Sequence, residues 1–186
     1  MPPDKGPLDD LQLATRLLDD LNIRHALIGG WAVVAWGVVR ATQDLDFLVL
    51  ADATAKTLLS KEFRKQGYKV EHRKGDSDDP IPEIFRLTPP TMGERPTIDI
   101  LPACRSFEAD AIGRSVRLRL GAWDLPVLRR EDLIAMKLLA GGGIDFEDAR
   151  QLLEIHAGRI NEELLLLSCS QLKVHKELAL IRKRIK

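Results

Sequence analysis

Two short segments constrain the fold more than any other part of the chain. A Gly-Gly pair at 29–30 follows an apolar run at 25–28, and two aspartates, Asp44 and Asp46, lead into a second apolar run at 47–50. Apolar runs of this length, bounded by glycine or acidic residues, are typical of buried strands. Side chains two positions apart on a strand share one face, so Asp44 and Asp46 are predicted to project from the same side.

The rest of the chain alternates between strand and helix patterns before becoming helical after residue 130. Strands are predicted at 25–28, 44–50, 68–73, 83–88, 97–101 and 114–120, and helices at 8–22, 31–39, 53–66, 131–140, 145–156, 162–167 (capped by Asn161) and 171–185. The strand at 44–50 is apolar on both faces in its latter half, which predicts a central position. A charged loop at 74–82 is predicted to be the most mobile segment.

This order predicts an α+β (α/β) fold. Residues 1–128 would form a small mixed β-sheet core flanked by helices, and residues 129–186 a helical C-terminal extension packed on it. The two parts form either two domains or one. A length of 186 residues fits both arrangements.

Composition narrows the classes of function. The 28 basic and 28 acidic residues cancel, which argues against a surface built to coat nucleic acid. The basic segment at 173–186 is either a solvated helix face or a contact for RNA or phosphate.

No apolar run approaches the roughly 20 residues of a membrane span. With no secretion signal and two widely spaced cysteines, Cys104 and Cys169, we expect a reduced, cytoplasmic protein.

Three carboxylates could make a metal site. Two carboxylates side by side repel unless a proton or a cation lies between them, and hard oxygen ligands suit Mg²⁺ or Mn²⁺. Asp99 stands between two isoleucines in an apolar strand, so it faces either solvent or a polar site. If its strand neighbours that of Asp44 and Asp46, it would be a third ligand. Acids at a strand end are also commonly just solvated.

The residues around the aspartates could bind phosphate. Backbone N–H groups at a helix start bind anions, and Gly29 and Gly30 would let a phosphate approach closely. Arg40 and Thr42, just before the aspartates, offer a cation and a hydroxyl. These residues also have explanations that involve no phosphate, since a Gly-Gly pair is a common tight turn and Arg40 could face solvent.

Taken together, these residues resemble a known signature. Gly29-Gly30-Trp31-Ala32, followed by Arg40-x-Thr42-x-Asp44-x-Asp46-Phe47, is similar to the first motif of the DNA polymerase beta-like nucleotidyltransferase superfamily, in particular the bacterial abortive-infection and toxin–antitoxin type. Asp99 matches the family's third carboxylate. Asp132 to Lys137, with Asp145 and Asp148 after it, matches its later helical motif of a lysine followed by spaced aspartates.

The resemblance implies a function and a set of roles. It implies transfer of NMP from an NTP such as ATP to a hydroxyl acceptor, with release of pyrophosphate. The acceptor would be an RNA such as tRNA, a protein or a small molecule. The implied setting is a toxin–antitoxin or phage-defence system, which could include a small cognate partner protein. Gly29, Gly30 and Lys137 would contact the triphosphate. Asp44, Asp46 and Asp99 would hold two divalent metals, Mg²⁺ or Mn²⁺, and act in catalysis. A catalytically silent nucleotide- or partner-binding protein is the alternative.

The residues alone predict less about the helical motif. Lys137 lies on a helix whose other positions are largely apolar, which predicts a partly buried stem. Asp148 either pairs with Lys137 or begins a solvated face. Asp145 is also the kind of acid that commonly occupies the first turn of a helix.

Overall fold

A computed structural model describes residues 6–75, 82–90 and 95–185. The helices and strands, in chain order, are α1 (Pro7–Asp20), β1 (Arg24–Ile28), α2 (Gly29–Ala35), β2 (Leu45–Leu50), α3 (Ala53–Lys65), β3 (Lys69–Lys74), β4 (Glu83–Thr88), β5 (Ile98–Pro102), α4 (Ser106–Gly113), β6 (Val116–Leu120), β7 (Trp123–Val127), α5 (Arg130–Ala140), α6 (Gly143–Ile155), α7 (Glu162–Leu172) and α8 (His175–Arg182). Within those residues, every helix is too short or too polar to cross a lipid bilayer.

The seven strands form one mixed sheet in the order β3-β4-β5-β2-β1-β7-β6. The central position predicted for β2 is confirmed. It runs parallel to β5 on one side and antiparallel to β1 on the other. The predicted α+β class with a small mixed sheet flanked by helices is confirmed as well.

Alternation along β2 divides the sheet into two faces. Leu45, Phe47 and Val49 are fully buried on one face. The other face carries Asp46 and Leu48, which line a cavity together with residues of α4, α5 and α7. The helices of the C-terminal part therefore lie over the face of the sheet from which Asp46 projects.

Local chemistry explains several of the helix boundaries. Asp52 caps α3, because its side-chain Oδ1 accepts a hydrogen bond from the backbone N–H of Ala55 at 2.8 Å. Asn161 caps α7 as predicted, accepting from the N–H of Leu164 at 3.0 Å. Gly67 follows α3 with a φ of +86°, a left-handed conformation that glycine adopts without strain and that stops a helix.

Several sequence-based boundaries were wrong. The predicted helix at 31–39 begins earlier, at Gly29, and ends at Ala35, because Gly37 has a φ of +97°. The predicted helix at 171–185 is two elements: α7 runs on to Leu172, and Lys173 in the left-handed region separates it from α8. Helix α4 and strand β7 were not predicted. Most of the loop predicted at 74–82 lies outside the described residues.

A buried ion pair connects the sheet core to the C-terminal helices. Asp132 on α5 is fully buried, and Arg114, which follows α4, donates to both of its oxygens at 2.8 and 2.7 Å. Ser168 on α7 donates a third hydrogen bond to Asp132 at 2.7 Å. A buried carboxylate needs such donors because an unpaired charge in the interior is strongly destabilising. The boundary between residues 128 and 129 stays a prediction.

We expect Ser168→Ala to lower the free energy of unfolding by about 1–2 kcal/mol, because the buried carboxylate of Asp132 loses one donor that water cannot replace. Chemical denaturation measures the change. Ser170→Ala is the matched control, since Ser170 lies on the same helix and is exposed. Equal stability of the two variants would contradict the role given to this hydroxyl.

Candidate active site

The two carboxylates that matter most lie on adjacent strands. Asp46 on β2 and Asp99 on β5 are register partners in the parallel pair, so their side chains leave the same face of the sheet next to each other. Asp99 is 5% exposed. Asp44 lies just before β2 and is exposed. The adjacency of Asp99 and Asp46, on which the sequence argument depends, is confirmed, whereas their shared role in metal binding stays a prediction.

The electrostatics of Asp46 reflect this arrangement. Burial, together with the negative charges of Asp99 and Asp44, raises its pKa to about 7, while the positive charges of Lys137 and Arg86 act in the opposite direction. Three carboxylates thus act on one another at one end of β2. The ionised form of Asp46 is therefore disfavoured in the folded protein.

Arg86 is a site residue that the sequence analysis missed. It is the register partner of Asp99 in the antiparallel β4–β5 pair, and its guanidinium donates from Nε to Oδ1 at 2.9 Å and from the terminal nitrogen to Oδ2 at 2.6 Å. The signal was present in the sequence, because Arg86 stands between Phe85 and Leu87 as Asp99 stands between two isoleucines. Only the strand order shows that the two interrupted strands are neighbours.

The two glycines bring the first turn of α2 against the side chains of the site. Gly29 has a φ of +64°, and a Cβ placed on it would lie 2.0 Å from Asp46 Oδ2. A Cβ on Gly30 would lie 2.3 Å from Thr42 Oγ1. The glycines are therefore required for packing against Asp46 and Thr42 in addition to any role in binding phosphate.

Arg40 and Lys137 meet at a buried carboxylate. Lys137 Nζ lies 2.9 Å from Asp148 Oδ2 and 2.7 Å from Asp145 Oδ1. Arg40 forms an ion pair with the same Asp148 oxygen. Of the two alternatives for Asp148, the structure shows the pairing with Lys137. The segment before β2 is thereby joined to α5 and α6.

A cavity of about 470 Å³ lies beside part of this site. Gly29, Asp46, Lys137 and Asp145 line one part of it. Most of the remaining wall is apolar and comes from β2, β5, α5 and α7, with further charged residues on β4 and α4: Leu48, Leu101, Pro102, Leu133, Met136, Leu139, Leu172, Glu83, Arg105 and Glu108. The volume suits a small organic molecule.

The carboxylates at this end of β2 are of the type that binds a hard divalent cation, but one of them, Asp99, already has an ion-pair partner. Asp44 and Asp46 supply carboxylate oxygens, and the pKa of Asp46 is raised first by burial and then by the negative charges of Asp99 and Asp44. Asp99, however, has both oxygens engaged by Arg86. Across the part of the chain that the structure describes, no three Asp, Glu, His or Cys side chains are already arranged around a common metal position. Each carboxylate oxygen has two lone pairs, so Asp99 would ligate a metal through those that Arg86 does not use.

The comparisons with known proteins concern the fold. No protein-family model matches the chain, and no curated protein matches its sequence. Among solved structures, the matches define the chain as having the nucleotidyltransferase fold, which confirms the fold that the resemblance implied.

Three of these structures illustrate the likeness. A nucleotidyltransferase-like antigenic protein from Paracoccidioides brasiliensis has a TM-score of 0.52 and 18% identity, covering 92% of this chain and 89% of its own. The antibiotic-resistance factor ANT(2'')-Ia has a TM-score of 0.52 and 18% identity over 94% of this chain and 90% of its own. The lincosamide antibiotic adenylyltransferase LnuA, with lincomycin bound, has a TM-score of 0.50 and 20% identity over 82% and 99%.

Proposed function

We propose that this protein transfers a nucleoside monophosphate from an NTP to a hydroxyl acceptor and releases pyrophosphate. The observation that carries the proposal is the pairing of Asp46 with Asp99 across β2 and β5, beside the turn formed by Gly29 and Gly30. A nucleotidyl transfer requires carboxylates for divalent cations next to a place for the triphosphate.

Each residue has a defined part in this reaction. Asp44 and Asp46 would hold Mg²⁺ or Mn²⁺, with Asp99 as a further ligand through the lone pairs that Arg86 leaves open. The bound metal would lower the pKa of the acceptor hydroxyl and offset the charge of the triphosphate. Lys137 reaches the same cavity as Asp46 and would hold phosphate oxygens. Arg40 and Thr42 cover Gly30, so they would support the turn at which the triphosphate binds.

The cavity favours a small acceptor over RNA. Among the residues described, its lining carries the acids Asp46, Glu83, Glu108 and Asp145 against the bases Arg105 and Lys137. Phosphate backbones bind where basic side chains are in excess, whereas this lining has more acids than bases. ANT(2'')-Ia has been crystallised with adenylyl-2''-tobramycin and LnuA with lincomycin, so small hydroxyl compounds are acceptable to this fold. The tRNA, protein and toxin–antitoxin expectations stay predictions.

The test is a transfer assay with each NTP labelled at the α-phosphate, in Mg²⁺ or Mn²⁺. The acceptor series contains hydroxyl-bearing antibiotics, tRNA and protein. We expect labelled product on a small acceptor, its loss with Asp44→Ala or Asp46→Ala, and retention with Asp124→Asn, which alters an exposed acid on β7. Activity that is unchanged in both alanine variants would exclude the assignment.

The Arg86–Asp99 ion pair supports a second candidate, a nucleotide-binding protein without catalysis. While Arg86 donates to both oxygens of Asp99, that carboxylate offers a metal less negative charge than an unpaired one. Metal-dependent NTP binding measured by calorimetry, without labelled product on any acceptor, would favour this alternative. Binding without metal and without product would support neither candidate.

A further inference from the structure

Lys137 has two carboxylate partners that differ in their surroundings. The side chain of Asp148 is 5% exposed and also pairs with Arg40, so it is fixed from two sides. The side chain of Asp145 is 27% exposed, and Asp145 lines the cavity next to Lys137. One partner is therefore held in place, and the other can turn into solvent.

The charges of this group already balance. Arg40 and Lys137 face Asp145 and Asp148, so Lys137 offers no surplus positive charge to a polyanion that enters the cavity. A phosphate bound at Lys137 would lie beside the carboxylate of Asp145. Because Asp145 already contacts the ammonium, a phosphate oxygen has to take the place of that carboxylate.

We propose that Asp145 occupies the phosphate-binding position of Lys137 when no nucleotide is bound, and that the lysine exchanges this carboxylate for a phosphate oxygen of the nucleotide. Asp148 keeps Lys137 and Arg40 in position throughout the exchange. The inference rests on the proposed function, because it requires a nucleotide at this site. It makes Asp145 an acid that opposes nucleotide binding and Asp148 a positioning residue.

The geometry around α6 allows the exchange. Asp145 is the third residue of α6, and the helix starts immediately after the Gly141-Gly142 pair. A Cβ on Gly142 would lie 2.7 Å from Asp145 Oδ2, so this glycine leaves room for the carboxylate in its present position. Near the helix start, an acid that leaves Lys137 keeps a favourable interaction with the helix dipole.

The experiment measures the dissociation constant of α,β-methylene ATP with Mg²⁺ by calorimetry, because this analogue cannot transfer its nucleoside monophosphate. We expect Asp145→Asn to bind about tenfold more tightly than the wild type, since the neutral amide holds the lysine ammonium less strongly than the carboxylate does and the phosphate has less to displace. Asp145→Glu should return the affinity toward the wild-type value. Glu147→Gln is the matched control: it makes the same change in net charge on the same helix, and Glu147 pairs with Arg150 and not with Lys137.

A double-mutant cycle tests whether the gain in nucleotide affinity from Asp145→Asn depends on Lys137. In a Lys137→Met background, Asp145→Asn should bring no gain, because the carboxylate then has no lysine to occupy. A gain that persists there, or an equal gain from Glu147→Gln, would mean a general charge effect and would overturn the exchange. Wild-type protein that binds the analogue, with Asp145→Asn unchanged or weaker, would overturn this inference alone. Wild-type protein that binds no nucleotide would overturn the proposed function itself.

Discussion

Asp46→Asn should abolish nucleotidyl transfer and, at pH 8, make the protein more stable. We expect transfer to fall by about 10³-fold or more, because the amide cannot hold a divalent cation as the carboxylate does. In buffer without divalent cations, the free energy of unfolding should rise by about 2 kcal/mol. A residue that is retained at a cost to stability is typical of a functional site.

The sign of the stability change follows from the pKa of Asp46. Its folded-state pKa is about 7 against an ordinary value of 3.8, so the folded protein binds a proton that the unfolded chain has released between these values. Stability therefore falls as the pH rises from about 4 to about 7, and the loss is complete above that window. Asparagine removes the ionisation and so removes this fall.

Thermal and chemical unfolding at pH 4 and pH 8 test the prediction. The two proteins should be nearly equal in stability at pH 4, where Asp46 is protonated in the fold, and should separate as the pH rises. Asp124→Asn, in an exposed position, should give no such separation. Millimolar Mg²⁺ should stabilise the wild type and leave Asp46→Asn unchanged. A variant less stable than the wild type at pH 8 would contradict the electrostatic account of this site.

Alanine at either glycine of the turn should be strongly destabilising. We expect Gly29→Ala and Gly30→Ala each to lower the free energy of unfolding by about 3 kcal/mol, through overpacking and, at Gly29, a left-handed backbone conformation. The new Cβ at Gly30 would stand 2.8 Å from Thr42 Cβ, and that at Gly29 2.9 Å from Asp46 Cβ. These carbons are bonded directly to the backbone, so no change of rotamer relieves the contact.

Gly143→Ala is the matched control for both substitutions. Gly143 is the first residue of α6, and a Cβ there would meet nothing within 4 Å among the described residues. Alanine at this position should be neutral or stabilising by about 0.5–1 kcal/mol. Denaturation midpoints of the three variants give the comparison. Stability of Gly30→Ala equal to that of Gly143→Ala would show that the turn does not pack as described.

Much of the site was predictable because it depends on local spacing. One intervening residue predicted that Asp44 and Asp46 share one side of a strand, although β2 begins only at Leu45, and the alternation around Asp99 marks it as a polar group in an apolar strand. The resemblance to the nucleotidyltransferases added Lys137, which does line the cavity with Asp46. Each of these predictions uses only a short stretch of sequence, interpreted through the periodicity of a strand or through a known motif.

The partners of the site residues were not predictable in the same way. Arg86 lies 13 residues before Asp99, and Asp148 lies 108 residues after Arg40. Their pairing depends on which strands adjoin and on how α6 is placed against the segment before β2. The missed elements have a similar cause. Strand β7 is stabilised by pairing with β6 and β1. Two of its five residues, Trp123 and Asp124, are exposed, and Pro126 interrupts the rest of the strand pattern.

The sequence by itself determined the order of most strands and helices, the central position of β2, and which carboxylates could share a face, because hydrophobic periodicity and turn chemistry are local. Only the tertiary structure decided that Asp99 lies beside Asp46, that Arg86 engages Asp99, and that Gly29 and Gly30 make room for Asp46 and Thr42. It also showed that Lys137 is shared between Asp145 and Asp148. These are contacts between distant segments, and they are selected by packing, which no short window of sequence contains.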